Sequence, residues 1–136
     1  MLLVGFDGST SACRAVAWAL GQAQSQRARL VIVHARSVPW WVPLGPPELI
    51  PLWRANSAEL TTAITGQLNA ALRGTDVAWE FVQRDGRPVT QIAEVATALR
   101  ADVVIVGASR RRAGRSWLSI PGRLLRKGNW PVAAVP

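Results

Sequence analysis

Five short stretches of this chain are apolar almost throughout, and nothing else in the sequence limits its fold as strongly. They are Leu2 to Phe6, Leu30 to His34, Val77 to Val82, Asp102 to Val106 and Pro131 to Val135, each rich in Val, Ile, Leu or Phe. A strand with one wet face alternates apolar and polar residues. A strand that is apolar at consecutive positions has to be covered on both faces, which is the condition of parallel strands between two layers of helices.

The segments between these runs have helical period. After Asp7-Gly8-Ser9-Thr10-Ser11, whose hydroxyls suit an N-cap, Ala12, Ala15, Val16, Ala19, Leu20 and Ala23 form one stripe. Asn56 with Glu59 reads as a capping box opening a second helix, with Leu60, Ala63, Ile64, Leu68, Ala71 and Leu72 as its stripe and Gly74 as its stop. Pro88, a favoured first helical residue, opens a third with Val89, Ile92, Ala93, Ala96 and Leu99. A short fourth, Ile120 to Lys127, places Arg126 and Lys127 in its last turn, where cations suit the helix dipole. Strands alternating with helices imply right-handed crossovers and an α/β domain built on a mostly parallel sheet.

The 136 residues are enough for one domain with its own core, and no linker or repeat divides them, so a single domain over residues 1–136 is expected. One cysteine, Cys13, rules out an intrachain disulfide and a thiolate metal cluster, and it reads as a small apolar residue on the first helix. The opening Met1-Leu2-Leu3-Val4 enters a strand without a basic leader or signal core. A cytoplasmic location follows as the expectation. Pro39 to Trp53 is apolar but holds five prolines and Glu48, too broken to span a bilayer. The net charge of +8 is localised: residues 1–102 carry nine basic and eight acidic side chains, whereas residues 103–136 carry seven basic and none acidic. That late patch is either a solvated face or an anion-binding one.

In open parallel sheets, ligands bind beyond the carboxyl ends of strands where neighbouring connections leave to opposite faces. The rule nominates Asp7-Gly8-Ser9 and Gly107-Ala108-Ser109. His34, the only histidine, ends the second strand near them and reads as a packed imidazole, since no Ser, Cys or second acid is arranged to work with it. Asp102 lies at the wrong end of its strand, and Asp85 before Gly86 reads as a turn residue. With no nucleophile or paired carboxylates in view, a non-enzymatic binding role is expected. Trp40, Trp41 and Trp53 flank the proline-rich connection that leaves from the pocket side. They read as a lid or partner-docking loop, or as rings packed back on the second helix.

Val4-Gly5-Phe6-Asp7-Gly8-Ser9, Leu30-Val31-Ile32-Val33-His34-Ala35, Gly86-Arg87-Pro88, Ala101 to Ser109, and the closing Arg123-Leu124-Leu125-Arg126 with Pro131 to Val135 together resemble the universal stress proteins, in order and in register. The resemblance covers the chain apart from residues 37–55. It implies a five-stranded parallel sheet of order 3-2-1-4-5 with helices on both faces, the adenine-nucleotide alpha-hydrolase-like arrangement. It also implies a homodimer, and the short apolar edge Val132 to Val135, which would otherwise expose unpaired backbone groups, is where the two copies are expected to join.

ATP-binding members of that family have an Asp after the first strand and a G-x-x-G-x9-G-[ST] phosphate loop after the fourth. By that resemblance Gly5, Asp7, Ala35, Gly107, Ser109, Arg110 and Ser119 become the nucleotide-binding candidates, with ATP or a related adenine nucleotide as the ligand. Asp7 and Gly107 match the pattern. Arg110 replaces its second glycine, Ser119 and Ile120 stand where it has Gly and Ser or Thr, and the loop is one residue shorter. Two principal readings follow. One is a stress-response regulatory module that binds nucleotide weakly, with Arg110, Arg111, Arg112 and Arg115 supplying guanidinium forks for the phosphates. The other is an adapter working through protein contacts, the Trp40/Trp41 loop among them. Nucleic-acid binding through residues 110–127 is a weaker third reading, because no recognised nucleic-acid motif accompanies the arginines.

Overall fold

The structure, a computed structural model, describes residues 1–39, 41–108 and 120–136. Its elements run β1 (Leu2–Gly5), α1 (Thr10–Gln26), β2 (Leu30–Arg36), α2 (Leu49–Ala71), β3 (Trp79–Asp85), α3 (Pro88–Ala98), β4 (Val103–Gly107), α4 (Ile120–Lys127) and β5 (Val132–Val135). The strands form one sheet in the order β3-β2-β1-β4-β5, every neighbouring pair parallel, as expected. β1 lies at the centre, with Leu3 between Val31 and Val104.

The uninterrupted apolar runs divide their side chains between two cores. Leu2, Val4, Leu30, Ile32 and Ile105 face α1 and α2, while Leu3, Val31, Val33, Val104 and Val106 face α3 and α4. Each fully buried aliphatic side chain of this kind contributes about 1.5–3 kcal/mol relative to exposure. α1 begins where its sequence proposed: Ser9 is the N-cap, with extended backbone, and its Oγ accepts from the Ala12 N–H at 3.2 Å. It ends at Arg27, whose left-handed backbone turns its N–H back onto the last helical carbonyls. Pro88 opens α3 as expected, and Val89, Ile92, Ala93, Val95 and Ala96 are buried beneath it.

The second helix departs from its expectation. It starts at Leu49, seven residues before Asn56, with Glu48 as an N-cap that makes no side-chain capping bond. Pro51 falls in the first turn, where its missing N–H has no intrahelical partner to lose, so it does not exclude helix there. Asn56 and Glu59 become exposed mid-helix residues. Of the predicted stripe only Ile64, Leu68 and Leu72 are buried, while Leu60 is 53% exposed and Ala63 and Ala71 are also exposed. Cys13 lies on α1 but faces solvent rather than packing as a small apolar residue. Among the described residues no helix is long and apolar enough to cross a membrane.

Candidate functional site

α1 carries the chain from β1 to one face of the sheet and α4 carries it from β4 to the other. The two neighbouring strands therefore part company at their carboxyl ends. A cleft opens there, lined by Gly5, Phe6 and Asp7 from the end of β1, Val33 and Ala35 from β2, Val106 and Gly107 from β4, and Pro88 and Ile92 from α3. Ser9, Ala12 and Ile120 complete it. The empty space amounts to about 480 Å³, solvent at the mouth included.

Two glycines let the helices come down onto the strand ends. A Cβ on Gly107 would lie 2.6 Å from the Ser11 carbonyl carbon and 2.7 Å from the Ala12 nitrogen, so the first turn of α1 rests directly on the end of β4. A Cβ on Gly5 would lie 2.7 Å from Cδ1 of Ile92. Any side chain at 107 has to displace backbone, whereas at 5 it has to displace side chains, the tip of Ile92 and, at 3.1 Å, Cγ1 of Val106. Asp7 is exposed at the rim, its Oδ1 accepting from the Ser9 N–H at 2.9 Å, an Asx-type turn that fixes the carboxylate just before α1.

Of the residues nominated from sequence, Gly5, Asp7, Ala35 and Gly107 line this one cleft. Ser109, Arg110 and Ser119 lie outside the described residues, as do the arginines at 111, 112 and 115 and Trp40. Sequence reasoning missed the α3 wall. Ile92 was read only as part of a core stripe, and it does pack there, but its position over β1 also makes it a wall of the cleft. Ile120, the first residue of α4, lines the cleft with an apolar side chain where the family pattern has a hydroxyl.

The remaining candidates fall away from the site or serve it indirectly. His34 is buried, with Nδ1 2.8 Å from the Phe6 carbonyl and its ring stacked on Phe81. Asp102 precedes β4, at the end of the strands opposite the cleft. Asp85 pairs with Arg36 at 2.7 Å beside the Gly86 turn. In the proline-rich connection Trp41 is 52% exposed and, among the described residues, Val42 is the buried one; Trp53, on α2, is half-buried. Among the described residues no group of three His, Cys, Asp or Glu side chains could hold a metal ion.

The sequence profile of the universal stress protein family matches residues 1–136. A Thermus aquaticus protein, described as a universal stress protein in the QAH/OAS sulfhydrylase 3' region, is 34% identical over 109 residues, 78% of this chain and 74% of that one. Among solved structures, universal stress protein UspA from Lactobacillus plantarum matches with a TM-score of 0.78 at 19% identity, over 99% of this chain and 96% of its own. A universal stress protein family protein from Arabidopsis thaliana, solved with AMP bound, matches with a TM-score of 0.71 at 17% identity, over 98% and 89%. The two structures match this chain in fold, and the profile and the Thermus relative match it in sequence as well: the chain belongs to the universal stress protein family.

Proposed function

We propose that residues 1–136 act as one regulatory domain that binds an adenine nucleotide in the cleft between the ends of β1 and β4 and does not turn it over. The observation that carries this reading is the juxtaposition of a carboxylate at the rim, Asp7, with apolar walls from Val33, Ala35, Pro88 and Ile92. Flat apolar walls suit a purine base, and an ionised carboxylate accepts from ribose hydroxyls in charge-assisted hydrogen bonds. The AMP carried by the Arabidopsis relative supports the same ligand class. Asp7 and Ser9 supply the polar side chains among the described lining residues, with no imidazole or thiol beside them, which favours binding over catalysis.

Phosphate affinity is the weak part of this site. Ile120 brings no hydroxyl, and Arg110 in place of glycine makes a positive φ costly, so a close backbone cradle is disfavoured. Attraction then comes from arginine side chains, screened over about 8 Å at physiological salt. Calorimetry with AMP and ATP at low and high salt tests the reading. AMP binds at both, ATP gains little over AMP at high salt, and Asp7→Asn weakens both about tenfold or more, the loss of one charge-assisted hydrogen bond. Tight ATP binding indifferent to salt overturns the account of the loop, and no binding of either nucleotide overturns the reading as a whole.

A homodimer through β5 belongs to this proposal. β5 is an edge of the sheet, and its short strand, half-buried at Val132, Ala133 and Val135, leaves a row of backbone groups for a second copy to pair with. Sedimentation as a monomer at ordinary working concentrations removes it. A cytoplasmic location is the compartment in which such a nucleotide sensor would meet its ligand. The adapter reading draws on a different observation, the exposure of Trp41 and of Leu44, the latter 78% exposed, on the loop before α2. Under that reading Trp41→Ala abolishes a protein contact and leaves nucleotide affinity unchanged.

A further inference from the structure

The pairing of β1 with β2 stops one rung early, and a side chain takes the missing place. Register runs from Leu2 opposite Leu30 to Gly5 opposite Val33, and the Phe6 N–H still donates to the Val33 carbonyl at 2.8 Å. In a parallel ladder the next bond would run from the Ala35 N–H to the Phe6 carbonyl. Among the described residues no backbone N–H makes that bond, and His34 Nδ1 stands 2.8 Å from the carbonyl instead. A carbonyl oxygen only accepts, so the proton is on Nδ1.

The ring that does this is held firmly. It is 5% exposed, the one buried polar side chain among the described residues, and it stacks on Phe81 with centroids 6.5 Å apart and planes 19° apart. β2 meanwhile continues to Arg36 against β3 alone, Ala35 opposite Arg84 and Arg36 opposite Asp85. Phe6 and Ala35, the two residues whose backbones would otherwise join, both line the cleft. An apolar side chain at 34 would fill the same core space, but it would leave the Phe6 carbonyl to the Ala35 N–H, and closing that rung would draw the β1 end onto β2.

We propose that His34 is a positioning residue for the cleft: by occupying the Phe6 carbonyl it ends the β1–β2 ladder, keeps the Ala35 backbone apart from β1, and sets where the Phe6–Asp7 turn stands. Its effect on affinity rests on the nucleotide reading, whereas its geometric part is measurable without any ligand. Three variants separate the donor from mere bulk. The amide nitrogen of His34→Asn lies as many bonds from the backbone as Nδ1 does, that of His34→Gln one bond farther, and His34→Ala has no donor.

Two readouts are taken on each variant, the hydrogen-exchange rate of the Ala35 amide in the ligand-free protein by NMR, and AMP affinity by calorimetry. In His34→Ala and His34→Gln the Ala35 amide closes on Phe6, its exchange slows about tenfold or more, and AMP binding weakens about tenfold or more, the loss expected when a site's hydrogen-bonding geometry is displaced. His34→Asn stays within about threefold of wild type on both measures by the same reasoning. Unchanged Ala35 exchange in the Ala variant, or an Asn variant no nearer wild type than the Gln variant, overturns the proposal. If the Ala variant does not fold, the Asn and Gln pair decides. The expected exchange differences among the variants, found together with a wild type that binds no AMP, support the positioning and remove the nucleotide reading alone.

Discussion

α1 and α2 cover the same face of the sheet, yet one is pressed onto it and the other stands off it. α1 buries Ala12, Ala15, Val16, Ala19 and Ala23, mostly methyl-sized groups, and its first turn touches the backbone at Gly107. α2 is longer, 23 residues, but within its span only Ile64 and Leu68 are buried. Ile64 packs beside the turn after β1, at Gly8, so the helix from Leu49 to Ala63 runs about 22 Å before it reaches the core, at 1.5 Å per residue. Over that length Leu49, Trp53, Ser57 and Thr61 are half-buried at four-residue intervals, Thr61 accepting from Gln83 at 2.9 Å. A central helix thus gains its hold by close approach, and a peripheral one by two long aliphatic anchors. Close approach ties α1 to the cleft directly, while α2 reaches it only at second hand, through Ile64 against the turn at Gly8.

That contrast is open to direct attack. Ile64→Ala removes the anchor that meets the turn after β1, and the cavity costs about 2–5 kcal/mol of unfolding free energy in denaturant titration. A loss under ~1 kcal/mol would mean that α2 is held by something other than its two aliphatics. Ala19→Leu forces bulk under the helix that has no room for it, at about 1–3 kcal/mol. Because α1 also packs on Gly107, this variant perturbs AMP affinity as well, which Ile64→Ala in a still-folded protein does to a smaller degree. Equal effects of the two on affinity would erase the distinction. Leu52→Ala, on the exposed side of α2, stays within about 0.5 kcal/mol of wild type by the same titration and leaves affinity unchanged. Any larger cost would place that leucine in a contact of the folded molecule.

The same contrast explains what could be read from the amino acids. Residues such as Val31 and Ile105 are buried on both sides of a covered sheet, and that requirement writes itself into consecutive positions, so strands and their alternation with helices were plain. The stripe of α1 was equally plain because almost every predicted position meets the sheet, with Leu20 half-buried. The start of α2 was hidden by Pro51, which reads as a breaker except in a first turn, and by Asn56 and Glu59, which imitate a cap wherever a helix is solvated. Strand order came from the family resemblance rather than from any periodicity. At the site, Asp7 and Gly107 could be found because chain chemistry and topology nominate the same turns. Ile92 could not, because a core stripe and a cleft wall have the same composition, and only the packing of α3 over Gly5 distinguishes them.

The long approach of α2 also determines where this architecture tolerates change. Among the described residues between Ser37 and Ala63 only Val42 is buried, and Ile64 is the first residue of α2 to join the core. None of the described residues from Val38 to Ala63 belongs to a strand or lines the cleft, so a change of length or sequence there is tolerated more readily than one in α1, and the segment is where new attachments can be acquired while the pocket is kept.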